Sequence, residues 1–107
     1  MSKFVKFEDI NNIRIITFDR PDKKNAFNEE MLTTVSNLID ETRDLLEIRV
    51  VIITSKCEKI FSSGYDISSD NMDSKESLLN IHILDESKDK HPLMKISEVI
   101  SESPKII

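Results

Sequence analysis

The stretch Ile60-Phe61-Ser62-Ser63-Gly64-Tyr65-Asp66-Ile67 carries the most pointed chemistry in this chain, and that chemistry belongs to the backbone. Gly64 is the only glycine among 107 residues, where ordinary usage would give about seven. A chain that dispenses with glycine elsewhere keeps this one for a backbone reason. Either φ must be positive, or another molecule must approach closely. Upstream, Arg49-Val50-Val51-Ile52-Ile53-Thr54 is a short apolar, β-branched run, the pattern of a strand covered on both faces. The loop at the carboxyl end of such a strand is where open α/β sheets place their ligands. A tight turn there can aim N–H groups into a cleft and hold an oxyanion. Asp66 is placed to cap a short helix starting near Ile67.

Other chemistries find no support. His82 and His91 stand outside any zinc-ligand motif, so no metal site is predicted. His91, before Pro92 at a helix start, reads as structural or solvated. Ser62-Ser63-Gly64 lacks the flanking glycine of a nucleophile elbow. One glycine cannot make a Walker or dinucleotide fingerprint. Cys57 is the single cysteine, which excludes an internal disulfide and fits a reducing compartment. At the end of a strand it reads as inert.

Composition narrows the class further. A net charge of -5 argues against broad nucleic-acid binding, which needs a basic face. No apolar run approaches the roughly 20 residues of a membrane span. Met1 to Lys6 lacks the apolar core of a secretory signal, so an intracellular location is expected, with cytoplasm, mitochondrion and peroxisome not distinguished.

The elements that must position the turn come before it. Residues 3–7 and 13–18 are rich in β-branched and aromatic side chains, and predict a hairpin around a polar turn, Glu8 to Asn12. Asn11-Asn12 tolerates left-handed backbone. Pro21 ends the second strand. Asn28 can cap a helix whose first turn holds Glu29 and Glu30. Met31, Val35, Leu38, Ile39, Thr42, Leu45 and Leu46 then form one apolar stripe on a helix of about 18 residues. Hairpin, helix and strand make a β-β-α unit with a second one beginning.

Residues 68–92 are largely polar and read as a mobile, lid-like segment, with Leu78 to Leu84 forming a short helix. His91-Pro92 opens a last helix with Leu93, Ile96, Val99 and Ile100 on its buried face. Ser103-Pro104 stops it, and Lys105-Ile106-Ile107 begins another buried strand. A strand ending at its third residue suggests that residues 1–107 are the N-terminal part of a longer domain. The alternative is a natural short form whose last strand pairs within the piece or with another chain.

Taken together, the segments resemble a known family. Ile15-Ile16-Thr17-Phe18-Asp19-Arg20-Pro21, Lys24-Asn25-Ala26-Phe27, Met31, Val50 to Thr54, Ile60 to Ile67 and Ser103 to Ile107 occur in the order of the enoyl-CoA hydratase/isomerase (crotonase) superfamily. The resemblance runs from about residue 4 to the last. It implies an α/β fold, the N-terminal part of a crotonase-like ββα spiral core, which is usually trimeric and binds an acyl-CoA thioester. No further cofactor or metal is implied; coenzyme A enters as part of the substrate.

The resemblance also implies roles. The N–H of Tyr65 would be one of two oxyanion donors. Tyrosine keeps that donor and narrows or reorients the acyl pocket. Lys24, Ala26 and Phe27, with Ser63, Gly64, Tyr65, Asp66 and Ile67, would line the coenzyme site. Backbone groups near Ala26, Ser63 and Tyr65 would meet pantetheine and adenine, and a lysine of the first loop would meet phosphate. Without the family, Lys23-Lys24 reads as a solvated loop charge. The Ser62-Ser63-Gly64-Tyr65-Asp66 spelling resembles that of peroxisomal-type Δ3,Δ2-enoyl-CoA isomerases. The second donor and the acid/base carboxylates would lie past Ile107, which leaves hydration and isomerisation both open and predicts an inactive piece. A non-catalytic coenzyme-binding or protein-interaction module is the rival reading.

Overall fold

The computed structural model describes residues 1–66 and 91–107. Ile67, His82 and the lid-like segment as far as residue 90 lie outside the described residues. The element order is β1 (Val5–Ile10), β2 (Ile13–Phe18), α1 (Glu29–Glu41), β3 (Val50–Ser55) and α2 (Pro92–Glu102).

β1 and β2 pair antiparallel, and Ile10 faces Ile13 across a turn of only Asn11 and Asn12. Both asparagines have positive φ, 50° and 70°, as the hairpin turns that match strand twist require. The polar turn expected over Glu8 to Asn12 is therefore shorter. Glu8, Asp9 and Ile10 belong to the strand because a two-residue turn leaves each a ladder partner. One of those pairs is Asp9 opposite Arg14. The Arg14 guanidinium grips both Asp9 oxygens at 2.8 and 2.9 Å and donates to the Leu38 carbonyl near the end of α1 at 3.0 Å. That bidentate pair holds the Asp9 carboxyl below its ordinary range, against the opposing pull of burial.

Asn28 caps α1 as its sequence position implies, its Oδ1 accepting the Met31 N–H at 2.8 Å. Met31, Val35, Leu38 and Ile39 pack against Val5, Ile16, Phe18 and Val51 to form the core. The α-helix stops at Glu41, shorter than expected, and a 3-10 turn follows over Thr42–Asp44. Leu46 consequently leaves the stripe and is 86% exposed. Ile48 takes the buried place instead.

β3 runs parallel to β2, giving the order β1-β2-β3. Only one face of β3 is fully covered: Val51 is buried, while its neighbour Ile52 is 42% exposed. The run is apolar on both sides, but α1 reaches just one of them. α2 packs against α1 through Ile96 and Val99. Ile100, expected on the buried face, is exposed, and none of the helix's residues is fully buried. Beyond it, Ile106 bridges Val50 in parallel, with the Val51 N–H donating to the Ile106 carbonyl at 2.8 Å. Where a new buried strand was expected, this single bridge stands on the outer edge of β3, with Ile106 and Ile107 exposed.

Candidate functional site

Phe18 and Ser55 are partners in the parallel register, so the carboxyl ends of β2 and β3 lie side by side. The loops that follow them, residues 19–28 and 56–66, are brought together for that reason. Gly64 has φ +103°, and a Cβ placed on it would meet nothing within 4 Å among the described residues. Of the two reasons for a lone glycine, the positive φ is present. Among the described residues, none closes the space beside it.

The two loops join through a parallel bridge between Phe27 and Tyr65. Phe27 N–H donates to the Gly64 carbonyl, and Asp66 N–H donates to the Phe27 carbonyl, each at 2.8 Å. Ser63 N–H donates to the Lys24 carbonyl at 3.0 Å. Ser62 works on both sides of the joint: its hydroxyl donates to the Asn25 carbonyl at 2.8 Å and accepts the Gly64 N–H at 3.0 Å. Beneath the bridge Phe18, Phe27 and Phe61 pack as a tilted and edge-on trio, with ring centroids 4.7 to 6.4 Å apart.

Of the residues the sequence singled out, Lys24, Ala26, Phe27, Ser63, Gly64, Tyr65 and Asp66 thus meet at one place. Ile67 lies outside the described residues. Lys24 is exposed, and both it and Asn25 have left-handed backbone, φ 51° and 56°. The N–H groups of Ala26 and Ser63 are engaged within the chain, by the Lys23 and Lys24 carbonyls. Tyr65 is half-buried, and its ring lies 4.8 Å from the His91 imidazole. His91 is buried rather than solvated, and its Nδ1 accepts the Leu93 N–H at 3.1 Å, capping α2.

Asp66 has a partner that local sequence did not suggest. It is buried, and its Oδ2 stands 3.2 Å from Nη1 of Arg20. Asp66 thus forms a tertiary ion pair, and the helix it was expected to cap would start outside the described residues. Arg20 also donates to the Ala26 carbonyl at 2.7 Å and sits over the Phe4 ring.

Sequence reasoning missed Asn25 and Ser55 as organisers. Asn25 is fully buried, and its side chain touches three segments. Its Oδ1 accepts the Arg20 N–H at 2.8 Å, while Nδ2 donates to Ser55 Oγ at 2.6 Å and to the Phe61 carbonyl at 3.0 Å. Ser55 Oγ in turn accepts the Cys57 N–H and donates to the Ile60 carbonyl, each at 2.9 Å, closing the loop after β3. The signal for Asn25 was its tolerance of left-handed backbone, the same property that marks Asn11 and Asn12.

Among the described residues no three His, Cys, Asp or Glu side chains are grouped as a metal ion would require, and no helix is long and apolar enough to cross a membrane.

Comparison with known proteins places this arrangement. A family model described as enoyl-CoA hydratase/isomerase matches residues 8–98. A short-chain-enoyl-CoA hydratase of Clostridium acetobutylicum is 34% identical over 64 residues, covering 60% of this chain and 24% of the relative. Among solved structures, OdaA of Pseudomonas aeruginosa superposes over 97% of this chain and 37% of its own, with TM-score 0.71 and 25% identity. The carnitinyl-CoA hydratase of Mycobacterium avium superposes over 64% of this chain and 26% of its own, with TM-score 0.60 and 32% identity. The chain spans about a quarter of the length of the curated relatives it matches. With the family model covering most of its residues, this chain belongs to the enoyl-CoA hydratase/isomerase family.

Proposed function

We propose that this chain carries one side of a coenzyme A thioester site, and that the Tyr65 N–H is one of two donors to the thioester oxygen as it becomes an enolate. The observation that carries this reading is the Gly64 turn, at positive φ and hydrogen-bonded to the Lys24 to Phe27 loop at the ends of two parallel strands. A donor held there is preorganised, so it stabilises developing charge without reorganising at the moment of reaction. Lys23, Lys24, Lys56 and Lys59 all lie exposed in the two loops, although the chain is acidic overall. Such a lysine group suits the phosphates of coenzyme A.

In a complete enzyme the reaction would be proton transfer on an acyl-CoA, as isomerisation or hydration, in an assembly we take to be a homotrimer. Losing one oxyanion donor costs about 10²–10³ in rate and losing the acid/base about 10²–10⁴ more. By itself this chain is therefore expected to turn over no enoyl-CoA.

The test is calorimetric titration with butyryl-CoA, with light scattering on the same sample. Saturable binding that weakens in Gly64→Val supports the reading. Absence of binding by a folded chain overturns it. A second reading, a protein-interaction module, draws on Ile52, Ile106 and Ile107, which are 42%, 72% and 40% exposed along the outer side of β3. Light scattering that shows association without coenzyme binding would favour it.

A further inference from the structure

We infer that Asn25, which makes no claim on the ligand, is the positioning residue of this site. Its buried amide makes the first loop and the glycine turn a single preformed cradle. The inference rests on the coenzyme-site reading for its ligand, but on this chain's own hydrogen bonds for its geometry.

Every polar group of Asn25 is used. The backbone N–H donates to the Arg20 carbonyl at 2.9 Å, and the backbone carbonyl accepts from Ser62 Oγ at 2.8 Å. The side chain accepts from one strand end (Arg20) and donates to the other (Ser55) and to the turn (Phe61). One residue therefore fixes the spacing of β2 and β3 at their carboxyl ends, and the height of the turn above them. Only asparagine combines these demands. A left-handed φ of 56° disfavours branched and bulky side chains. Full burial excludes a charge without a partner. The site needs one acceptor and two donors on a short arm, which is the inventory of a primary amide.

The consequence is a division of labour. Gly64 allows the turn, but Asn25 sets where it sits. Because Ser62 links the Asn25 carbonyl to the Gly64 N–H, a shift of Asn25 passes to the Ser63–Gly64 peptide, one unit before the Tyr65 N–H. An aspartate at this position keeps the shape and removes both donors, which leaves Ser55 Oγ and the Phe61 carbonyl facing a carboxylate.

The experiment compares Asn25→Asp and the milder Ser62→Ala with Ile39→Val, a core change in α1. Amide hydrogen exchange is read at Phe27 and Asp66, whose N–H groups form the bridge between loop and turn, and butyryl-CoA binding is measured on the same proteins. Exchange at both amides, and the dissociation constant, should rise roughly tenfold or more in Asn25→Asp and Ser62→Ala. Ile39→Val should leave both unchanged even where its unfolding midpoint falls as far. If Asn25→Asp does not fold, Ser62→Ala and Ser55→Ala decide the matter. Unchanged bridge exchange in the folded variants overturns the inference. If the wild-type chain binds no butyryl-CoA, the coenzyme reading fails, and bridge exchange alone still decides the role of Asn25.

Discussion

Arg20 and Asp66 are separated by 46 positions in the chain, yet Nη1 of one lies 3.2 Å from Oδ2 of the other, with both side chains about nine-tenths buried. The pair spans the two loops of the candidate site. Removing one member of a buried pair strands the other charge, typically at about 3–5 kcal/mol. Asp66→Ala and Arg20→Ala should each fall in or near that range in urea unfolding. Arg20→Ala should cost the more, because it also abandons the Ala26 carbonyl and the Phe4 ring. The double variant should lose clearly less than the sum, which a double-mutant cycle reads directly.

The Asp9–Arg14 pair predicts a dependence on acid. Hydrogen bonding to Arg14 lowers the Asp9 pKa from its ordinary 3.8, so the folded state holds this proton less tightly than the unfolded chain. Stability from the pair is then fully present above about pH 4 and is lost as pH falls through the lower folded value. Arg14, shifted upward by the same carboxylate, stays charged throughout and adds nothing in this window. The Asp9 side chain is 37% exposed, so solvent screening keeps the effect small. Urea midpoints at pH 6 and pH 3 should fall further for wild type than for Asp9→Asn. Equal losses would mean that this pair is not what titrates.

At Gly64 the cost of a side chain should be conformational alone. Among the described residues a Cβ there meets nothing within 4 Å, so Gly64→Ala introduces no clash with them, only a residue held at φ +103°. Strain of that kind costs about 1–3 kcal/mol. Thermal unfolding should show a loss in that range for Gly64→Ala and a loss at least as large for Gly64→Val, because a branched side chain is tolerated still less at positive φ. A loss for valine with none for alanine would point to a contact at the turn rather than to backbone strain.

Two residues with similar sequence patterns should behave oppositely. Leu46 continues the α1 stripe on paper but is 86% exposed, whereas Ile48 is 2% exposed. Leu46→Ser should change stability by no more than about 0.5 kcal/mol. Ile48→Ala should cost about 2–5 kcal/mol. Unfolding of the two variants side by side tests where the helix ends.

Much of this molecule is local physics, and local physics is legible in sequence. The asparagine cap at Asn28, the left-handed pair Asn11-Asn12 and the positive φ of Gly64 follow from what each residue permits in its own backbone. So does the apolar spacing that makes α1 and orders hairpin, helix and strand. The family follows from the same linear order. What sequence alone misjudged was decided by neighbours distant in the chain. Leu46 turned outward because the backbone left the α-helix at Glu41, and Ile52 stayed partly exposed because α1 covers only one face of the sheet. The Asp66 pair with a guanidinium from the other loop was likewise invisible to local sequence. Asn25 reads as one polar loop residue among several until Arg20, Ser55 and Phe61 close around it. A buried polar group is satisfied by whatever the fold brings within about 3 Å, and no spacing rule along the chain records which groups those will be.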